Sequence, residues 1–405
     1  MWHLQAPFPK SEFTINNMEK ICIKNARIVL PDKIVNGNII SVDGKIAKIT
    51  NICPDDCFVI DAKGLVVTPG FVEIHAHGGG GSDFCDSTPE AFVQAVKSHL
   101  SHGTTYICPT IMSCTQDRLM KVVSAYRKAK ESEIGVLMHG LHLEGPYLNP
   151  DMCGAQRKDI IREPSEQEVD RLFDFAGDVI SRITAAPEVK GVDYLAKRAK
   201  ENNILLSIGH SGATAFDVEK AIEKGFSHVT HLYSATTTVR KINQRIYAGI
   251  LEAAFLYDDI KFELIGDGRH VAKQTMQMSV KVKGAKNINL TSDAMRGAGQ
   301  SDVTESYLGD VCPENRVIID DGVAKLPDKS SYAGSIATGD VMFKNAVENY
   351  GISMVDAVTM LSATPAYLIG ADSKGSIEID KDADFVIWND DFTVNTVVAG
   401  GKVVS

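Results

Sequence analysis

The chain has 405 residues, 44% of them hydrophobic, and a formal net charge of −10. That length accommodates one large domain plus a smaller one. The negative balance leaves no basic footprint for nucleic acid, and no apolar run reaches the roughly 18–20 residues that span a bilayer, so neither partner is expected.

Residues 1–17, MWHLQAPFPKSEFTINN, lack periodicity and lack the basic start and apolar stretch of a secretory signal; they read as a loose extension. From Ile21 to Thr68 come short β-patterned runs, ICIKNARIVL, GNIISVDGKIAKIT and FVIDAKGLVVTPG, punctuated by Pro, Asn-Gly and Asp-Gly turn signals. The same texture returns in KGSIEIDKDADFVIWNDDFTVNTVVAGGKVVS at the end. A small β-sandwich built from both chain ends, 18–68 plus 373–405, is predicted. Between them, over 69–372, strand-like runs fall near 71–77, 104–110, 137–144, 182–187, 204–210, 228–233, 262–267 and 288–293, with helical patterns between several. The clearest helix has Thr88 as N-cap, Pro89 at its first position, an apolar face of Ala91, Phe92, Ala95, Val96 and Leu100, and Gly103 as its stop. Eight such units predict an α/β fold of the (β/α)8, TIM-barrel type. The alternative, a doubly wound open sheet, lacks its glycine-rich nucleotide turn, because the GGGG after HAH does not match GxGxxG. The eight cysteines show no CxxC pair. Cys53 and Cys57, spaced CxxxC, read as ordinary thiols rather than half of a zinc site, and the set suits a reducing cytoplasm.

In a barrel of this type the reactive side chains sit at the C-terminal ends of the strands. Those ends carry His75 and His77 in GFVEIHAHGGGG, Glu144 in LHLEGP, His210 in SIGHSGAT, His231 in VTHLY and Asp293 in LTSDA. Residues i and i+2 of a strand point the same way, so His75 and His77 aim together. Each residue alone has an ordinary explanation, as a core histidine, a loop cap or the N-cap of a helix. Six of them at one face of one barrel point to a metal site with an acid/base. His99, His102 and His139 read as structural, His228 as facing the other end, and His142 is left open between a supporting role and none.

The motifs PGFVEIHAHG, GLHLEGPYLNP, APE, GHSGAT, THLY, GDGRHV, TSDAM, AGS and GSIEIDKDADFVIW resemble the amidohydrolase superfamily, and within it the N-acetylglucosamine-6-phosphate deacetylase family, over about residues 20–405. The resemblance implies that Glu144, His210 and His231 hold a catalytic metal, that His75 and His77 can hold a second, that Asp293 is the acid/base and that His270 contacts the sugar. The implied cofactor is one or two divalent transition ions, zinc first, with iron or manganese as alternatives. The implied substrate is a small amino sugar, and the implied assembly is a cytoplasmic homodimer. Three departures lie on the substrate side. Gly154-Ala155 is followed by Gln156 where the family reads His; Ser234-Ala235-Thr236 replaces Asn-Ala-Met; and TTTVRKINQRIYAG replaces an Arg-Glu-Pro-Gly segment that supplies a phosphate-binding arginine, with Arg245 nearest the expected place. Ala155, Gln156, Ser234, Ala235, Arg245 and His270 are therefore the candidate substrate residues. Three rivals follow: a deacetylase of another N-acyl amino sugar, a cyclic-amide hydrolase (against which stands the absence of a ligand lysine at strand 4, ending Thr184-Ala-Ala-Pro), and a catalytically silent metal-binding paralogue.

Overall fold

A computed structural model describes residues 16–17 and 19–404. Its centre is one eight-stranded parallel sheet in chain order: Phe71–Ala76, Thr104–Met112, Leu141–Glu144, Ile180–Ala185, Leu205–Ile208, Phe226–Val229, Lys261–Ile265 and Ile288–Thr291, here barrel strands 1 to 8. Their apolar residues are buried nearly throughout, as expected where helices cover the outside of a parallel sheet. Strands 1 and 8 close the ring at the mouth. Asp293 N donates to His75 O (3.0 Å), His77 N donates to Ala294 O (2.7 Å), and Ala76 bridges to Ala294. Each of the eight predicted runs contains a strand, the third only from Leu141, after a 3-10 turn at Glu133–Leu137. Strands 1, 4, 5, 6, 7 and 8 stop at Ala76, Ala185, Ile208, Val229, Ile265 and Thr291, short of the residues that ended the runs.

The helix Pro89–Ser101 forms as its sequence predicts. Thr88 Oγ1 accepts from Ala91 N at 3.2 Å, Pro89 occupies the first turn, and Gly103 turns the chain away at φ +90°.

Both chain ends build a second sheet. Lys20–Val29, Ile34–Val42, Lys45–Thr50, Phe58–Asp61 and Val66–Pro69 join Phe385–Trp388, Val394–Ala399 and Lys402–Val404 in one hydrogen-bonded network. The long strand Lys20–Val29 serves two partners along one edge, Phe58–Asp61 beside its first half and Val66–Pro69 beside its second. Its pairing with Ile34–Val42 slips between Ile23 and Ala26, where Asn25 is left-handed at φ +55°; such bulges bend a strand. The bent sheet wraps a core of Ile21, Ile23, Ile28, Ile39, Val67 and Phe385. Of the extension predicted over 1–17, residues 1–15 lie outside the described residues, while Asn16–Asn17 pair with Lys402–Val403. After barrel strand 8 a four-stranded antiparallel sheet runs from Glu305–Tyr307 to Tyr332–Ser335. Its last strand returns to the mouth, where Ser335 N donates to Asp293 O at 2.8 Å.

Candidate active site

The strand alternation delivers His75 and His77 to one side, with their Nε2 atoms 3.3 Å apart. The chain then reverses at once, pairing Gly78–Gly79 with Ser82–Asp83. A Cβ on Gly78 would lie 2.2 Å from Ser82 O, so this turn requires glycine there. His99, on the first helix, bonds Gly78 O at 3.0 Å and steadies the same turn. His210, His231 and Asp293 follow the ends of strands 5, 6 and 8 in left-handed backbone, at φ +46°, +29° and +48°. Such conformations cost a non-glycine residue about 1–3 kcal/mol each and persist where surrounding bonds enforce them, which is typical of functional sites.

The side chains meet around Glu144. Its Oε1 lies 2.9 Å from His231 Nε2 and 3.1 Å from His210 Nε2, and these two nitrogens are 3.2 Å apart. Its Oε2 lies 3.4 Å from His77 Nε2, and Asp293 Oδ1 is 3.2 Å from the same nitrogen and 3.4 Å from His75 Nε2. His210 Nδ1 bonds Met152 O (3.0 Å) and His231 Nδ1 bonds Ser234 O (3.2 Å). A carbonyl can only accept, so each Nδ1 carries a proton and each ring turns its Nε2 to Glu144. Two ring nitrogens and a carboxylate oxygen this close repel one another unless positive charge, a proton or a cation, sits among them. The residues fit a divalent metal. His75, His77 and Glu144 form a second such triad sharing the same carboxylate.

The electrostatics agree. Burial would raise Glu144, but His75, His210 and His231 outweigh it and hold the carboxyl well below its usual range. Burial would likewise lower His77, yet Asp293 and Glu144 beside it hold it up at about 9. The carboxylates draw positive charge to this point, whether as ring protons or as a metal ion.

Gln156 stands inside this arrangement. Its Nε2 donates to Glu144 Oε2 at 2.9 Å, and its Oε1 accepts from Ser113 N at 3.0 Å. With Ala155, Ser234, Ala235 and His270 it lines a cavity of about 170 Å³ that opens onto His77, Glu144, His210, His231 and Asp293. His270 Nδ1 is tied to Asp267 Oδ2 at 2.7 Å, and its ring leans on Tyr332 at 4.7 Å between centroids. Arg245 is placed elsewhere. It lies exposed on a hairpin, Arg240–Ile242 with Arg245–Tyr247, and does not line the cavity of its own chain. His142 packs edge-on against His75, its nitrogens bonded to Thr110 and Thr184. His228 stays inside the barrel on Ser207 and Asn289, while His102 and His139 pair with Asp340 and Tyr106.

A model of the amidohydrolase family matches residues 66–404. The chain belongs to this family, among its N-acetylglucosamine-6-phosphate deacetylases. The N-acetylglucosamine-6-phosphate deacetylase of Bacillus subtilis (strain 168) is 29% identical over 396 residues, 95% of this chain and 97% of that one. That of Lysinibacillus sphaericus is 30% identical over 365 residues, 89% and 91% of the two chains. The crystal structure of the Pasteurella multocida N-acetylglucosamine-6-phosphate deacetylase matches with a TM-score of 0.88 at 28% identity, covering 95% of this chain and all of the other.

Sequence reasoning missed the charges beneath this amidohydrolase site. Glu263, fully buried on strand 7, bonds His75 Nδ1 at 2.6 Å and accepts from His231 N at 3.0 Å. Its other oxygen accepts from Arg182 Nη1 at 2.7 Å. Burial would raise Glu263; Arg182 and His75 overcome it and hold the group well below the usual carboxylate range. Glu73 accepts from Thr291 Oγ1 (2.6 Å) and from the backbone of His75 and Ser292, tying strand 1 to strand 8. A signal existed: Glu73, Arg182 and Glu263 each interrupt an apolar strand at an inward position, where unpaired charge is prohibitive. Tyr332 and Leu308, which also line the cavity, come from the four-stranded insertion and carried no motif.

Proposed function

We propose that this chain hydrolyses the acetamide of N-acetylglucosamine 6-phosphate, giving glucosamine 6-phosphate and acetate. The reading rests on the convergence of His210 Nε2 and His231 Nε2 on Glu144 beside Asp293, in a chain of the deacetylase branch. Glu144, His210 and His231 would hold one divalent transition ion, zinc first and iron or manganese as alternatives. His75 and His77, with the second oxygen of Glu144, could accept another. When bound, the ion lowers the pKa of water from 15.7 to roughly 7 and polarises the acetamide carbonyl. Asp293, kept ionised by His75 and His77 against the opposing effect of burial, accepts the proton of the attacking water. It then hands that proton to the departing amine, so the leaving group exits neutral. His270, its Nδ1 occupied by Asp267, offers its other nitrogen to the sugar. Ala155, Gln156, Ser234 and Ala235 line the same cavity and would contact the sugar.

The phosphate requires local cations in a chain of net charge −10. Arg245 supplies one in this reading, carried by its hairpin into the site of a second copy in a homodimer. The exposed apolar neighbours Val239 and Ile246 suit burial against such a partner. The barrel, 69–372, carries all of this chemistry, and the sandwich, 18–68 with 373–405, carries none. Eight free thiols suit a reducing cytoplasm; among the described residues no helix is long and apolar enough to cross a membrane.

Acetate release from N-acetylglucosamine 6-phosphate, measured beside the unphosphorylated sugar and the galacto epimer, tests the reading. Preference for the phosphorylated gluco compound supports it. Gln156 and the altered segment after His231 favour one second reading, an N-acyl amino sugar of another epimer or without phosphate, and preference for one of those substrates would establish it. No turnover of any acetamide by the metal-loaded protein would leave the silent paralogue.

A further inference from the structure

The sandwich holds another cluster of ligand-type atoms, apart from the barrel mouth. Cys22 lies on Lys20–Val29 between Ile21 and Ile23. Those two enter the sandwich core, so Cys22 faces the opposite side of the sheet and is fully buried there. The segment 51–57 folds over that side before Phe58–Asp61 pairs alongside, setting Val59 opposite Cys22. Within the segment, Cys57 Sγ donates to Pro54 O at 2.9 Å, and Cys53 Sγ is 3.9 Å from Cys57 Sγ. All three sulfurs lie within 4.8 Å of one another. Reading Cys53 and Cys57 as unconnected thiols considered only their CxxxC spacing. Cys22 is distant in sequence, and only the strand pairing brings it in.

We propose that Cys22, Cys53 and Cys57 bind one thiophilic divalent ion, zinc in the first instance, as a three-thiolate site that holds the 51–57 segment onto the sandwich. Thiolate sulfur suits such ions, and a Zn–S bond of about 2.3 Å in tetrahedral geometry sets sulfurs roughly 3.8 Å apart. The 3.9 Å between Cys53 and Cys57 matches that spacing and is far from the S–S bond of a disulfide, about 2.05 Å. The two loop thiols are partly exposed, which leaves the fourth position to water. Asp56, on the same loop, is engaged by Lys20 at 2.7 Å. Binding replaces three S–H bonds by three S–metal bonds, releases three protons to solvent and leaves the site with one net negative charge.

Cadmium distinguishes this site from the barrel mouth, because thiolate-to-cadmium charge transfer absorbs in the ultraviolet and histidine or carboxylate ligands give no such band. The full chain, reduced and stripped with a chelator, is titrated with Cd²⁺ and then challenged with Zn²⁺. The expected result is a thiolate band that saturates at one ion per chain, is erased by Zn²⁺, and is lost in Cys22→Ser, Cys53→Ser and Cys57→Ser while Asp293→Asn retains it. Cys57→Ser should deacetylate at the wild-type rate. Should Cys22→Ser fail to fold, the two loop variants, at partly exposed positions, decide the matter. No thiolate band in the wild-type chain, or one that survives in the loop variants, overturns the proposal. So does a Cys53–Cys57 disulfide in the protein as purified, found by mass before reduction.

Discussion

Barrel strand 6 leads into two unlike pieces of structure. Just beyond its end, His231 is buried and fixed from several sides: its N–H donates to Glu263, its Nδ1 bonds Ser234 O, and its Nε2 meets Glu144. A few residues later the hairpin 240–247 projects outward, with Arg245, Ile246 and Tyr247 exposed. The first piece tolerates left-handed backbone at His231 because many bonds hold it there. The second is held by its own short ladder and by Arg240 donating to Gly212 O. On the proposed function, reaction chemistry rests on groups that the whole barrel positions, and phosphate recognition on a hairpin that few bonds tie to the barrel.

Asp293→Asn challenges the buried side of that comparison most severely. The amide keeps the shape but cannot take a proton, so kcat should fall by roughly 10²–10⁴ while metal content and melting temperature stay near wild type. A wild-type rate would make Asp293 a purely structural residue at the end of strand 8.

Glu263→Gln probes the support beneath. It removes the charge behind His75 and leaves Arg182 without its ion-pair partner. Metal affinity should fall about 10–100-fold, as when other outer partners of metal-binding histidines are lost. The stranded Arg182 charge should cost a further 3–5 kcal/mol or so of stability. Calorimetric metal titration and thermal unfolding read the two effects separately. An unchanged metal affinity would confine Glu263 to a folding role.

Gln156→His tests the boundary between the two regions, since Gln156 both lines the cavity and donates to Glu144 Oε2. Relative rates across gluco, galacto and unphosphorylated sugars should shift several-fold, with a smaller change in metal content. The hydrogen bond from Gln156 to the Glu144 carboxylate, worth about 1.5–3 kcal/mol, is only one of that group's contacts. Identical relative rates would remove Gln156 from substrate recognition.

Arg245→Ala addresses the free loop and carries the smallest effect. Losing one charge-assisted hydrogen bond of about 1.5 kcal/mol should raise KM roughly tenfold for a phosphorylated substrate and leave an unphosphorylated analogue unchanged. Equal effects on both would deny Arg245 a phosphate contact.

The strand count, the barrel class and six of the groups that converge at its mouth were legible because they depend on local pattern. Apolar runs of strand length, alternation of side-chain direction and turn-forming glycines all operate within a few residues. His75 and His77 announce each other by their spacing; Glu144, His210, His231 and Asp293 announce themselves by ending an apolar run. Three things were decided only by the tertiary structure. Glu263, Arg182 and Glu73 derive their roles from partners on other strands, which no spacing encodes. Tyr332 reaches the cavity because its strand returns to Asp293 after a long excursion. Cys22 joins Cys53 and Cys57 because a sheet aligns segments that are distant in the chain. The sequence by itself determined which side chains could do the chemistry, because periodicity is local. Which groups hold them in place is a matter of long-range pairing, and pairing exists only once the chain has closed on itself.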